Sequence, residues 1–334
     1  MADDLTPVDA RPGDRHGRLS SAELSESVGL HRPALSRGEV DRSTDRRGDA
    51  GWLKAAWADP GARVLVVDDG QAPVRFAATG GAALVFVPPA RAPAGARFLL
   101  GTAADGVVYF GVAGPLPPPD RGEGAGSAVR AAGLREVGPL LSDRDAGLMT
   151  HAVALANWHA VHLHCPRCGA LTDPEQAGHA RRCTVDGSEH FPRVDPAVIM
   201  LVTDPDDRCL LARNAQWPER RVSILAGFVE PGESAEQAVV REVLEETRIS
   251  VGSIRYVASQ PWPMPQSLML GFRARAIGSL KIMVDRDEIA EAHWFSRDDL
   301  RSSVASGEIM LPPPVSIAHR IIESWYGREL GGAW

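Results

Sequence analysis

Six glutamates fall within residues 227–249, GFVEPGESAEQAVVREVLEETRI. Glu242, Glu245 and Glu246 crowd its second half, and Glu233 precedes them. Carboxylates this close repel one another unless something positive sits among them. Hard divalent cations such as Mg²⁺ take carboxylate oxygens and hold substrate phosphates, so the pattern reads as a cation cradle for phosphate chemistry. A solvated acidic helix face would explain the same composition. Against it, the charges are one-sided and lack the i,i+4 lysines with which a surface helix relieves such repulsion.

The spacing predicts the element that must carry these acids. Residues 235–247 are strong helix formers without Gly or Pro, and Ser234 followed three residues later by Gln237 is a capping-box pattern. At about 100° per residue from Glu242, Glu246 falls near 40° and Glu245 near 300°, while Val239, Val243, Val240 and Leu244 fall at roughly 60–200°. The helix is therefore expected to have a bulky apolar face and an acidic one, with Glu233 near its positive end. It ends on Thr247-Arg248-Ile249, where a left-handed glycine is the common stop.

The offsets run Gly227, Glu233, Arg241-Glu242-Val243, Glu245-Glu246, Arg248-Ile249. This resembles the Nudix box of the Nudix hydrolases at every signature position except the glycine expected at Arg248. The resemblance implies cleavage of a nucleoside diphosphate linked to another group. It implies that Glu242 and Glu246 ligate Mg²⁺ or Mn²⁺, that Glu245 is a further ligand or orients water, and that Arg241 holds the glutamates. Backbone of the Gly227 loop, such as the Ala226 carbonyl, would approach the metal.

Residues 259–267 read SQPWPMPQS. Alternating prolines stiffen a chain into an extended, polyproline-like form with few free N–H donors, a rigid way to present Gln260, Trp262 and Ser267. A structural loop over the core is the plainer account. Downstream of a Nudix box, the segment is similar to the SQPWPFPxS array of the NADH pyrophosphatases, the NudC type, with Met264 in place of Phe. That resemblance implies substrate contacts at Phe191, Phe228, Gln260, Pro261, Trp262, Ser267 and Ala318, with Phe228 packing on a base or nicotinamide ring. It also makes Glu288 an additional metal ligand.

Cys165-Pro-Arg-Cys168 is followed by Cys183-Thr-Val-Asp186. A repeated CxxC at this distance reads as a zinc ribbon, here with Asp186 at the fourth position. Asp ligates zinc; His190 is the softer rival, His164 adjoins the first pair, and a degenerate ribbon without metal is the third possibility. Cys209 lies in an apolar run and reads as a buried thiol.

The 334 residues carry a net charge of −7, which provides no general basic surface for duplex DNA. No signal peptide or long apolar run appears, so a cytoplasmic protein with reduced thiols and no membrane span is expected. The fold class expected is α+β. It comprises a flexible tail (1–30), a β-rich N-terminal domain (31–144), a linker helix (145–163, read from Gly147 to His162), a zinc-ribbon module (164–193) and a Nudix α/β/α sandwich (194–334). The resemblance further implies that NAD(H) is cleaved to NMN(H) and AMP. It makes RNA capped with NAD a second substrate, left with a 5′-monophosphate, and predicts a homodimer. A catalytically weakened Nudix regulator that only binds nucleotide is the alternative; intact Glu242, Glu245 and Glu246 argue against it. A ribbon-based nucleic-acid binder is a further class, opposed by the acidic charge.

Overall fold

The computed structural model describes residues 33–78, 80–118 and 129–330. The tail expected at 1–30 lies outside the described residues.

The N-terminal unit opens with helix α1 (Ala50–Ala58), followed by strands β1 (Arg63–Val67), β2 (Gln71–Phe76), β3 (Ala82–Leu84), β4 (Ala96–Thr102), β5 (Val108–Ala113) and β6 (Val129–Gly133). They form two three-stranded sheets, β1-β5-β4 and β3-β2-β6. The run Arg63-Val-Leu-Val-Val is buried on both faces: Leu65 and Val67 enter the larger core, and Val64 a second one with Phe110 and Leu99. After the short α2 (Leu134–Val137) comes α3 (Asp143–Val161).

The helix α3 differs from its expected form in two ways. It starts before Gly147, because the Ser142 hydroxyl accepts the Asp145 N–H and caps it. Gly147 sits inside it, where a Cβ would press to 2.7 Å from the Arg37 carbonyl oxygen; the glycine admits a crossing backbone rather than starting the helix. Nor is α3 only a lead-in to the ribbon. Leu148, Met149, Ala152, Val153 and Leu155 belong to the N-terminal core.

The ribbon contributes β7 (Thr172–Glu175), β8 (Ala180–Cys183) and β9 (Glu189–His190), an antiparallel three-stranded sheet. The C-terminal unit follows: β10 (Asp195–Thr203), β11 (Cys209–Asn214), β12 (Leu225–Phe228), α4 (Ala235–Thr247), β13 (Ser250–Trp262), β14 (Ser267–Ile277), β15 (Ile289–Phe295), α5 (Arg297–Ser306) and α6 (Ile317–Tyr326). Its six-stranded sheet runs β13-β14-β10-β11-β15, with β12 also paired to β10, and β10 and β14 are parallel. Alternation along β10 sorts the two faces. Val198, Met200 and Val202 pack with Val239 and Val243 of α4; Ile199 and Leu201 pack with Leu300 of α5 and Ile317, Ile321 and Ile322 of α6. The result is the expected sandwich of helices on both faces of a sheet.

Residues 259–267 form no free-standing polyproline segment. Gln260, Pro261 and Trp262 end β13 and pair with Met269, Leu268 and Ser267, and residues 263–266 make the turn. β13 is an edge strand, where proline is tolerated, and strand and polyproline backbones occupy neighbouring φ/ψ values. The hairpin tip reaches the N-terminal unit. Trp262 and Met264 pack against its core, and the Asn157 side-chain amide of α3 donates to the Pro263 and Pro265 carbonyls at 2.9 and 3.3 Å.

Candidate active site

Helix α4 occupies Ala235–Thr247, with the Ser234/Gln237 capping box formed in both directions. Its buried face differs from the one the wheel suggests. Val239, Val243 and Ala238 are fully buried, but Val240 and Leu244 are exposed, and Glu242 and Glu246 retain only 9% and 6% exposure. The helix is rolled so that its acids face protein: β12 covers one side and the loop before β15 lies near the other.

Arg241 ties this cluster together with all five of its N–H donors. Nε and Nη2 each reach a Glu233 carboxylate oxygen at 2.8 Å, Nη1 reaches Glu242 at 2.8 Å and Glu245 at 3.2 Å, and Nη2 also donates to the Phe228 carbonyl at 2.9 Å. The three acids raise the Arg241 pKa, led by Glu233. One guanidinium leaves several carboxylates uncompensated. Burial, then the charges of Glu242, Glu288 and Glu245, push Glu246 up to about 8, and burial likewise raises Glu242. Glu246 Oε2 is buried with no hydrogen-bond partner.

The chain makes room for this arrangement. A Cβ on Gly227 would overlap the Glu242 carboxyl group, so glycine is required by close approach of an acid to the β12 backbone, next to Ala226. The last carbonyls of α4 hold the loop that leads to Glu288: Met283 N–H donates to Thr247 and Asp285 N–H to Glu246, at 2.9 and 3.2 Å. A set of carboxylate oxygens with one buried oxygen orphaned fits hard divalent cations.

The remaining residues implied by the resemblance divide by position. Phe228 and Phe191 are both 59% exposed, and Pro261, Trp262 and Ser267 are half-buried. Gln260 is wholly buried. Its side chain donates to the Val315 carbonyl at 3.0 Å and accepts the Leu35 N–H at 3.5 Å, so it clamps three segments instead of facing solvent. Ala318 is buried in the α6 core, its N–H held by Ser316 Oγ at 3.2 Å. Between these parts lies a cavity of about 430 Å³ lined by Ala226, Met269, Trp262, Trp217, Ser316 and Ile317 among others. Trp217 and the arginines beside it are not apparent from sequence periodicity, because they come from loops and from the N-terminal unit.

In the ribbon, ligand atoms of Cys165, Cys168, Cys183 and Asp186 all lie within 4.8 Å of one another. Backbone N–H groups of Arg167 point at Cys165 Sγ, and those of Val185 and Asp186 at Cys183 Sγ, each at 3.4 Å. Hydrogen bonds from Ser188 hold the Asp186 carboxyl below its usual range. His190 is bonded to Ser188 Oγ at 3.1 Å and stands outside the four. Three thiols and a carboxylate converging this tightly fit zinc. Cys209 is buried, and burial pushes its thiol up.

The sandwich and the acid-faced helix define a Nudix hydrolase. The NUDIX domain family model matches residues 193–311, the NADH pyrophosphatase zinc ribbon domain 161–191, and the NADH pyrophosphatase-like rudimentary NUDIX domain 54–158. The chain is 40% identical over 310 residues to the NAD-capped RNA hydrolase NudC of Mycobacterium bovis, covering 89% of this chain and 96% of that protein. It is 42% identical over 197 residues to human NAD-capped RNA hydrolase NUDT12, covering 55% of this chain and 42% of that one. The chain belongs to the NudC-type family of Nudix pyrophosphohydrolases.

Proposed function

We propose that the protein hydrolyses the pyrophosphate bond of NAD(H) to NMN(H) and AMP, and removes NAD from the 5′ end of RNA to leave a 5′-monophosphate. The observation that carries this reading is the acidic face of α4, where Glu242 and Glu246 are both buried, Glu242 against Gly227, and both lie within the field of Glu288. Glu242, Glu245, Glu246, Glu288 and the Ala226 carbonyl would hold Mg²⁺ or Mn²⁺. When bound there, the cation neutralises the pyrophosphate and acidifies water. The protein's own groups do the rest. Arg241 fixes Glu233, Glu242 and Glu245 before substrate arrives, and Gly227 lets the backbone come close. Exposed Phe228 offers a face for a base or nicotinamide ring. Gln260 and Ala318 act from within the core, shaping the cavity through the hairpin and α6. Water adds to one phosphorus and gives up a proton to solvent, the bridging P–O bond breaks, and the departing phosphate oxygen keeps the electron pair.

Zinc at Cys165, Cys168, Cys183 and Asp186 would be structural. The exposed apolar side chains Phe191, Val194 and Phe228 support the proposal that the protein is a homodimer. Among the described residues no helix is long and apolar enough to cross a membrane, in keeping with the proposal that the protein works in the cytoplasm. Incubation with NADH and Mn²⁺, followed by chromatography, should yield AMP and NMNH in equal amounts; no product with either metal would overturn the reading.

A further inference from the structure

A cavity of about 310 Å³ lies between α1, the strands β4 and β5, and the ribbon turn that joins β7 to β8. It shares no lining residue with the cavity beside Ala226. Its walls are largely rings. Trp57 of α1 meets Phe110 of β5 edge to face at 5.1 Å, and Phe98 of β4 lines the space beside them. Among the described residues no Asp or Glu lines it, and its ionisable groups are Lys54 and Arg97, both exposed. The Arg97 guanidinium lies over the Trp57 ring at 4.1 Å. Among the described residues neither cation has a carboxylate within 4 Å, unlike Arg182 of β8, which is paired with Glu175 and Glu189. Stacking fixes the guanidinium plane and leaves its N–H groups for an oxyanion. The wall from the ribbon is Ala177. It and Gln176 have left-handed backbone, φ 51° and 49°, which residues with a side chain hold only where their surroundings determine it. The next residue, Gly178, is so close to β4 that a Cβ would lie 2.6 Å from a Phe98 ring carbon. The turn is thus seated on the sheet, and the cavity stands between it and α1.

We infer that this cavity binds a small aromatic carboxylate, with its ring against Trp57, Phe98 and Phe110 and its carboxylate between Lys54 and Arg97. Three aromatic side chains favour a partner ring in offset or edge-to-face contact. The two cations favour an anion, since a carboxylate supplies the counter-charge that the cavity lacks. The volume is at the lower end of small-molecule sites, about 300–1,000 Å³, and suits one or two fused rings. A nucleotide suits it less, because no Asn, Gln, Ser or Thr lines the cavity to read the edge of a base. Such a ligand touches α1, both strands and the ribbon turn at once, and so ties the ribbon to the N-terminal unit. The site is separate from the hydrolytic one and does not depend on it.

Calorimetric titration of the full-length protein tests the site. The probes are 2-naphthoate, its neutral isostere 2-naphthamide, and octanoate. 2-Naphthoate is expected to bind one site per chain with a Kd on the order of 0.1 mM. The amide should bind about tenfold more weakly, because a charge-assisted contact is lost. Lys54→Gln with Arg97→Gln should make acid and amide equal, and Lys54→Arg with Arg97→Lys should restore the difference. Leu53→Trp narrows the cavity without touching either cation and should weaken both naphthyl probes at least tenfold; melting curves of the free variants show that each is folded. Saturating AMP should leave the affinity for 2-naphthoate unchanged. Displacement by AMP would put the probe in the nucleotide cavity and overturn the site. Tighter binding of octanoate than of 2-naphthoate overturns the aromatic assignment. A preference for the acid that survives the Gln pair, or no saturable binding up to about 5 mM, overturns the proposal as a whole.

Discussion

Gly227 and Glu242 meet so closely that a single added carbon on the glycine would lie inside the glutamate carboxyl group. A strand backbone and a buried acid are thereby held in contact, and Arg241 reinforces the contact by bonding both Glu242 and the Phe228 carbonyl. In Gly227→Ala the strand is expected to remain, but Glu242 must move by roughly an ångström, a displacement that costs on the order of a hundredfold in turnover. Steady-state hydrolysis beside a far-ultraviolet circular dichroism spectrum separates this from unfolding. Unchanged turnover would show that the position of Glu242 does not matter.

Glu246→Gln should act oppositely on activity and stability. The native carboxyl is buried, pushed up to about 8, and has an unpartnered oxygen. Removing its charge should cost about a hundredfold or more in turnover, near 3 kcal/mol. The chelated protein should melt at the same or a higher temperature, since a repulsion is relieved. Near-native turnover in saturating Mn²⁺ would remove Glu246 from the ligand set.

For the ribbon, elemental analysis of freshly purified protein should find about one zinc per chain, lost with lowered stability in Cys168→Ser. The tight grouping of Asp186 with the three thiols, and the hydrogen bond that engages His190 with Ser188 instead, predict that Asp186→Ala loses zinc and His190→Ala keeps it. The reverse pattern would make His190 the fourth ligand.

Acid should loosen the seam between the ribbon and the N-terminal sheets. His179 is buried with its Nε2 2.8 Å from the Leu99 carbonyl, and burial lowers its pKa to about 4 from an ordinary 6.5. The folded protein therefore keeps it neutral where the unfolded chain would already protonate. Its contribution is complete above about pH 6.5 and fades as pH falls toward 4, by at most about 3 kcal/mol. The gap in denaturation midpoint between native protein and His179→Gln should be wider at pH 7.5 than at pH 4.5. A gap that stays constant would show that His179 does not titrate across this range.

Much of α4 was legible because local rules determine it: Ser234 and Gln237 mark its start, and helix formers run unbroken to Thr247. Which side is buried was not, since an amphipathic wheel assigns acids to water and leaves Val240 and Leu244 with the core. Only tertiary neighbours, Arg241 with its five donors and the open backbone at Gly227, make burial of Glu242 and Glu246 tolerable. The prolines of 259–267 signalled extended chain but not the strand partner that Ser267 and Met269 provide. Gln260 reads as a polar residue available to a ligand until Val315 and Leu35, distant in sequence, are found bonded to it.

Arg248 is the position where the chain departs from the family box, and its backbone shows why glycine is usual there. It adopts φ 59° and ψ 20°, left-handed, with its N–H closing on the Leu244 carbonyl at 2.9 Å. A non-glycine residue in that conformation costs about 1 kcal/mol, and a cation at the negative end of a helix returns about 0.3–1 kcal/mol. Among the described residues no carboxylate lies within 4 Å of the exposed guanidinium to offset the rest. The adjoining carbonyls of Glu246 and Thr247 are already taken by Asp285 and Met283 of the loop that leads to Glu288, so the helix end is braced independently of residue 248. Arg248→Gly should therefore leave the melting temperature equal or a few degrees higher and keep turnover on NADH within a few-fold. A large gain in turnover would mean that the strained arginine tilts α4 and pulls Glu246 away from Glu288. The natural protein would then be a weakened hydrolase, and a regulatory role for its nucleotide site would follow.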